Sequence, residues 1–142
     1  MEFTSQICTT REQSARLLAL GIKKETADMY YPNGIQDSEH IIRAIYPAFW
    51  ESDQKIDAFI RGRVTPAWSL HRLIEMMPQW IYAVDGSLKL TIDQGKLVYY
   101  QRISDDAQIF VFGHTSLYDS IIDTIEKLIK EGYFITEYLE DK

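Results

Sequence analysis

Hydrophobic and polar positions along this chain recur with two different periods, and the change between them divides it. From Thr65 to Met77 the apolar residues Ala67, Leu70, Leu73, Ile74 and Met77 share one arc of a helix, as expected of a half-buried rod. Thr65-Pro66 predicts its start, since the threonine hydroxyl can accept a first-turn amide and proline at the first helical position loses no hydrogen bond. Pro78 predicts its stop. Beyond it the period becomes two. Trp80 to Val84 reads as a strand, Asp85-Gly86 as a tight turn, and Leu88, Leu90 and Ile92 alternate with Lys89 and Thr91. Gln94-Gly95 reverses the chain into Lys96 to Ile103, and Ser104-Asp105-Asp106 turns it into Ala107 to Phe112. These four strands predict an antiparallel meander.

The last segment returns to the helical period. With Thr115 or Ser116 as cap, Leu117, Tyr118, Ile121, Ile122, Ile125, Leu128 and Ile129 fall in one arc, and Asp119, Asp123, Glu126, Lys127 and Lys130 fall outside it. Such a face must lie on the sheet. Gly132-Tyr133 ends it, and the tail ITEYLEDK is polar enough to fray. At the other end, Thr9 with Glu12 or Thr10 with Gln13 can close a capping box on REQSARLLAL, which stops at Gly21 with Ile22 folding back. Thr26 starts a further turn that runs out at Tyr30, Tyr31 and Pro32. Between Asn33 and Arg63, Asp37 or Ser38 can cap a helix carrying Ile41, Ile42, Ile45 and Tyr46 until Pro47 ends it, and a second can follow Asp53 and close at Gly62. The expected fold is α+β, one domain over 1–142: a four-stranded antiparallel meander packed by an amphipathic C-terminal helix and a central helix, with a helical N-terminal half.

Composition changes this picture in few places. One cysteine, Cys8, allows no internal disulfide, and no Cys/His spacing resembles a zinc site, so no metal or cofactor is expected. No apolar run reaches the roughly 18–20 residues of a membrane span and the first residues lack the blocks of a signal peptide, which predicts a cytoplasmic protein. A net charge of −6 opposes non-specific binding to nucleic acid. Aromatic residues reach 13%, more than a core of this size demands, which points some of the rings at a partner.

Chemistry-bearing motifs are sparse. No phosphate-cradling glycine loop, Rossmann fingerprint, His-Glu-x-x-His or nucleophile elbow occurs. The predicted central helix places Trp68, His71, Arg72, Glu75 and Met76 on its outer arc, with Arg72 one turn from Trp68 and Glu75 one turn from His71. Trp68, Arg72 and Met76, with Trp50, are the expected contact patch for a protein partner, because interface cores favour these residue types. The rival reading is a small-molecule binder or hydrolase with His71, Glu75 and His114 in a pocket between sheet and helices. A homodimer through Val98, Tyr100 and Phe112 on an uncovered sheet face is a further possibility, and Cys8 near a helix N-terminus is a candidate nucleophile lacking an identifiable base.

Three stretches, Leu20-Gly21-Ile22 with Thr26-Ala27-Asp28-Met29, Pro66-Ala67-Trp68-Ser69-Leu70 running to Met76-Met77-Pro78, and Leu128-Ile129 with Gly132-Tyr133, resemble a group of short proteins encoded by gut-bacterial genomes and their phage-like elements. The resemblance implies a cytosolic setting and an accessory role in a mobile element. It carries no activity and transfers no functional residue.

Overall fold

The computed structural model describes residues 6–32, 42–43, 64–93 and 97–141. The chain falls into two compact units, residues 1–72 with 138–142 and residues 73–137.

In the first unit, helix α1 (Arg11–Ala19) opens on the predicted capping box: Gln13 N donates to Thr10 Oγ1 at 3.1 Å and Thr10 N to Gln13 Oε1 at 2.9 Å. Two orphan amides are thereby satisfied at once. Gly21, at φ +93°, ends the helix, with Gly21 N on Leu18 O and Ile22 N on Leu17 O, the paired bonds of a Schellman turn. Leu17 and Ile22 are both buried beside it.

Where a helical turn was expected from Thr26, a single 3₁₀ turn (Lys24–Thr26) leads into strand β1 (Met29–Pro32). β1 is the centre of a three-stranded antiparallel sheet in the order β2-β1-β3, with β2 at Ile42–Arg43 and β3 at Val64–Ala67. Ile42 is therefore extended and not helical; the other expectations for 33–63, including the helix after Asp53, lie outside the described residues. Thr65-Pro66 is likewise strand. Pro66 pairs with Tyr30 from the edge of the sheet, where a residue without an N–H is tolerated. Cys8, Met29, Tyr31 and Ala67 cluster in the core of this unit. The expected fraying of the tail is also corrected: Lys23 N donates to Tyr138 O, Glu140 N to Gly21 O, and Ile22 bridges Leu139.

The central helix, α2 (Leu70–Met76), starts four residues later than predicted. Its cap is Ser69, whose Oγ accepts from Arg72 N at 3.2 Å while its own N–H is held by Asp28 Oδ1 at 2.8 Å. A second bond joins Ser69 Oγ to Asp28 Oδ2. Leu73 and Met77 are buried as expected, but so is Met76, which the longer helix had placed outside. The unit boundary falls within α2, after Arg72.

The second unit is the predicted meander, β4 (Trp80–Ala83), β5 (Gly86–Asp93), β6 (Leu97–Arg102) and β7 (Gln108–Gly113), in sequence order and antiparallel throughout. Helix α3 (Leu117–Glu131) packs on β6 and β7 and buries Tyr118, Ile121, Ile122, Ile125 and Leu128. Each aliphatic side chain so buried contributes about 1.5–3 kcal/mol. Gly132 closes α3 at φ +79° with the same pair of bonds as Gly21, from Gly132 N to Ile129 O and from Tyr133 N to Leu128 O. A bulge interrupts β6–β7: Val98 faces Phe112 and Tyr100 faces Ile109, which leaves one extra residue on β7. Phe110 absorbs the excess at φ +56°, a conformation strained for so bulky a residue. Its ring meets Tyr100 edge-on at 6.4 Å and lies 6.3 Å from Tyr133.

Candidate functional site

The structure moves most of the residues expected to carry function. Trp68 precedes α2 and is wholly buried: its backbone N–H donates to Thr9 Oγ1, its carbonyl accepts from Thr9 N, and its indole N–H donates to Thr26 Oγ1 at 2.9 Å. Arg72, expected one turn from Trp68 on a shared helix face, donates from Nε to Thr26 O at 2.6 Å. With Met76 also buried, the expected patch loses Trp68 and Met76 to the interior, Arg72 is half-buried, and Trp50 lies outside the described residues. Premature phasing of the helix, from Thr65 instead of Ser69, caused the misplacement.

Cys8 is no nucleophile. It is buried, its thiol approaches Tyr31 Oη and Thr9 O, and burial pushes its pKa up, the reverse of the activation a helix N-terminus would give. His71 and Glu75 are exposed one turn apart on α2. His114 instead touches Asp123 through Nε2, and its backbone N–H donates to Ser120 Oγ, so it fastens the entry of α3 to the helix's second turn. Among the described residues no group of three or more His, Cys, Asp or Glu side chains is placed to hold a metal ion.

A cleft of about 370 Å³ lies between α3 and β7, lined by Phe112, Asp123, Glu126, Lys127 and Lys130. It contains none of His71, Glu75 and His114. Its cations are already matched: Lys127 pairs with Glu131 at 3.0 Å, and Lys130 with Glu126 at 3.4 Å. Little positive field remains for an anionic ligand.

The sheet's other face is different. Register places Ile81, Leu88, Val98 and Tyr100 on one side, all buried, which puts Trp80 and Tyr82 on the opposite side. The homodimer face expected from Val98, Tyr100 and Phe112 is therefore the covered one: Val98 and Tyr100 have no exposed surface, and Phe112 lines the α3 cleft. The opposite side is covered at Tyr99, which is buried, and exposed toward the turn end, where it carries Trp80 and Tyr82, the latter 80% exposed, with Val84 fully exposed in the turn that follows. Ile103, 53% exposed, joins them, since its N–H bonds Ser87 O and Ser87 is the register partner of Tyr82. Lys89 rests over the Trp80 ring at 5.7 Å.

Carboxylates gather at the turn end of the sheet around Arg102, which its pairing with Leu88 places on the side that α3 covers. Antiparallel order brings the β4–β5 and β6–β7 turns together, and Arg102 bridges them, with Nη2 on Asp85 at 2.7 Å and Nη1 on Asp105 at 3.1 Å. Asp106 is exposed beside them, its Oδ1 accepting from Gln101 Nε2. A hydrogen bond from Ala107 N, reinforced by Arg102, lowers the pKa of Asp105. Sequence reading had the strand and the turn but no function for Trp80 and Tyr82. The signal was the alternation itself, once the side covered by α3 is assigned.

Among the described residues no helix is long and apolar enough to cross a membrane. Comparisons with protein-family models, curated proteins and solved structures give no match to this chain.

Proposed function

We propose that this chain is a non-enzymatic cytoplasmic protein that acts by binding another protein through the exposed turn end of the sheet face that carries Trp80 and Tyr82. One observation carries the reading: Trp80, Tyr82 and Ile103 are exposed on one side of the sheet near its turn end, with Ser87 between Tyr82 and Ile103 and Val84 fully exposed in the adjoining turn. Large contiguous apolar patches on a soluble surface, bordered by polar residues, mark interaction sites, and aromatic anchors supply most of the energy in such contacts. The rival pocket for a small molecule has less behind it, because the cleft under α3 is shallow in chemistry, with both lysines already paired.

The test is substitution of the patch. Tyr82→Ser with Ile103→Ser removes the apolar surface without touching the core, so unfolding free energy changes by no more than about 0.5 kcal/mol per site. Affinity capture from the native cell then loses its specific partner. Unchanged capture by the double variant would place the contact elsewhere.

A further inference from the structure

We infer that residues 138–140 are a releasable strap, coupled by a run of hydrogen bonds to the entry of α2, so that lifting the strap loosens the surroundings of Trp68 while residues 73–137 stay folded. The strap is seated by a very short ladder. Lys23 N donates to Tyr138 O at 2.8 Å and Glu140 N to Gly21 O at 2.7 Å, with Ile22 bridged to Leu139 between them. In an antiparallel pair with bonds on either side, the central residues are the close, non-hydrogen-bonded pair, which brings Leu139 against Ile22.

Its hold is slight. Phe134 is the last buried residue among those described, and none from Ile135 to Asp141 is buried, although Tyr138 and Leu139 are half-covered. Segments with few buried apolar side chains and exposed backbone bonds open at the low end of local stability. The strap belongs to that class, whereas Ile22 beneath it is enclosed.

What the strap touches is continuous with the interior. Lys23 gives its N–H to Tyr138 and its carbonyl to Thr26, accepting from Thr26 Oγ1 at 2.6 Å and from Thr26 N at 3.0 Å. Thr26 Oγ1 in turn accepts from the Trp68 indole at 2.9 Å, and Thr26 O accepts from Arg72 Nε at 2.6 Å. Bonds in such a run polarise one another, so the loss of one weakens the next. Lys23, at φ −66° and ψ 131°, is held from both sides, by the strap and by Thr26. Strap-on and strap-off are thus two states of the first unit, and whatever draws the tail away shifts it between them. Neither state depends on the surface assigned to partner binding.

The test is amide and indole hydrogen exchange, followed by nuclear magnetic resonance on the full-length chain. Leu139→Ser with Glu140→Pro lifts the strap, removing its apolar contact and its bond to Gly21 O. Exchange of the Lys23 amide should then quicken by roughly tenfold or more, about the worth of one backbone hydrogen bond. The Trp68 indole N–H should quicken with it, while amides of the β5–β6 ladder keep their rates. Coupling is reciprocal, so Thr26→Val, which deletes the shared hydroxyl in the middle of the run, should speed exchange of the Lys23 and Glu140 amides. A Trp68 indole indifferent to the strap, or strap amides indifferent to Thr26→Val, would overturn the coupling. A Lys23 amide that keeps its rate in the strap variant, or an equal loss of protection throughout residues 73–137, would overturn the strap itself.

Discussion

Trp68 and Tyr82 are both large aromatic residues in short polar surroundings, yet their consequences differ. Trp68 is enclosed and bonded through backbone and indole to Thr9 and Thr26, two buried threonines whose hydroxyls extend the network to Ser14 and to Lys23 O. Trp68→Phe removes the indole donor, leaves a gap and takes an interaction from Thr26 Oγ1; a loss of about 2–3 kcal/mol is expected in urea unfolding. Tyr82→Ser, by contrast, alters surface alone. The contrast separates a residue that holds the first unit together from one available to a partner.

At the scale of elements, local chemistry decides where each begins. α1 was readable because its signals agree: Thr10 and Gln13 at capping spacing, then Gly21 with an apolar follower. Thr10→Ala should cost about 1 kcal/mol, measured as a shift of the unfolding midpoint. The start of α2 was misread for a physical reason. Thr-Pro suits a helix entrance and an edge strand alike, and the choice was made by β1, a strand distant in sequence whose Tyr30 and Tyr31 pair with Pro66 and Thr65. Nothing local distinguishes the two, and a helix of only seven residues offers too few turns to fix its own phase. The bulge was invisible for a similar reason, since its left-handed position holds Phe110 where glycine would be the usual signal.

For the molecule as a whole, the second unit was legible and most of the first was not. The meander and α3 rest on contacts between neighbours in sequence, which periodicity reports; the three-stranded sheet joins distant segments, which it does not. The candidate surface fell between these cases: its strand was recognised, but the side of the sheet that α3 covers was assigned the wrong way round. That covered side has a pH signature. Tyr100 has no exposed surface and donates to Pro78 O at 2.7 Å, and burial raises its pKa well above the ordinary phenol value. Its neutral form therefore contributes stability fully below the unfolded value of about 10, and the contribution is lost as pH rises from there toward the folded value. Unfolding free energy followed from about pH 8 to 12 should fall more steeply for the native chain than for Tyr100→Phe.

The return of residues 138–140 to Gly21 and Lys23 has a consequence for biosynthesis. Residues 73–137 are contiguous and hold all four strands of their sheet together with α3, so this unit has its parts as soon as that stretch has left the ribosome. The portion translated first lacks its closing bridge, Ile22 to Leu139, until the other unit has already been made. The earliest-born half is thus the last to be finished.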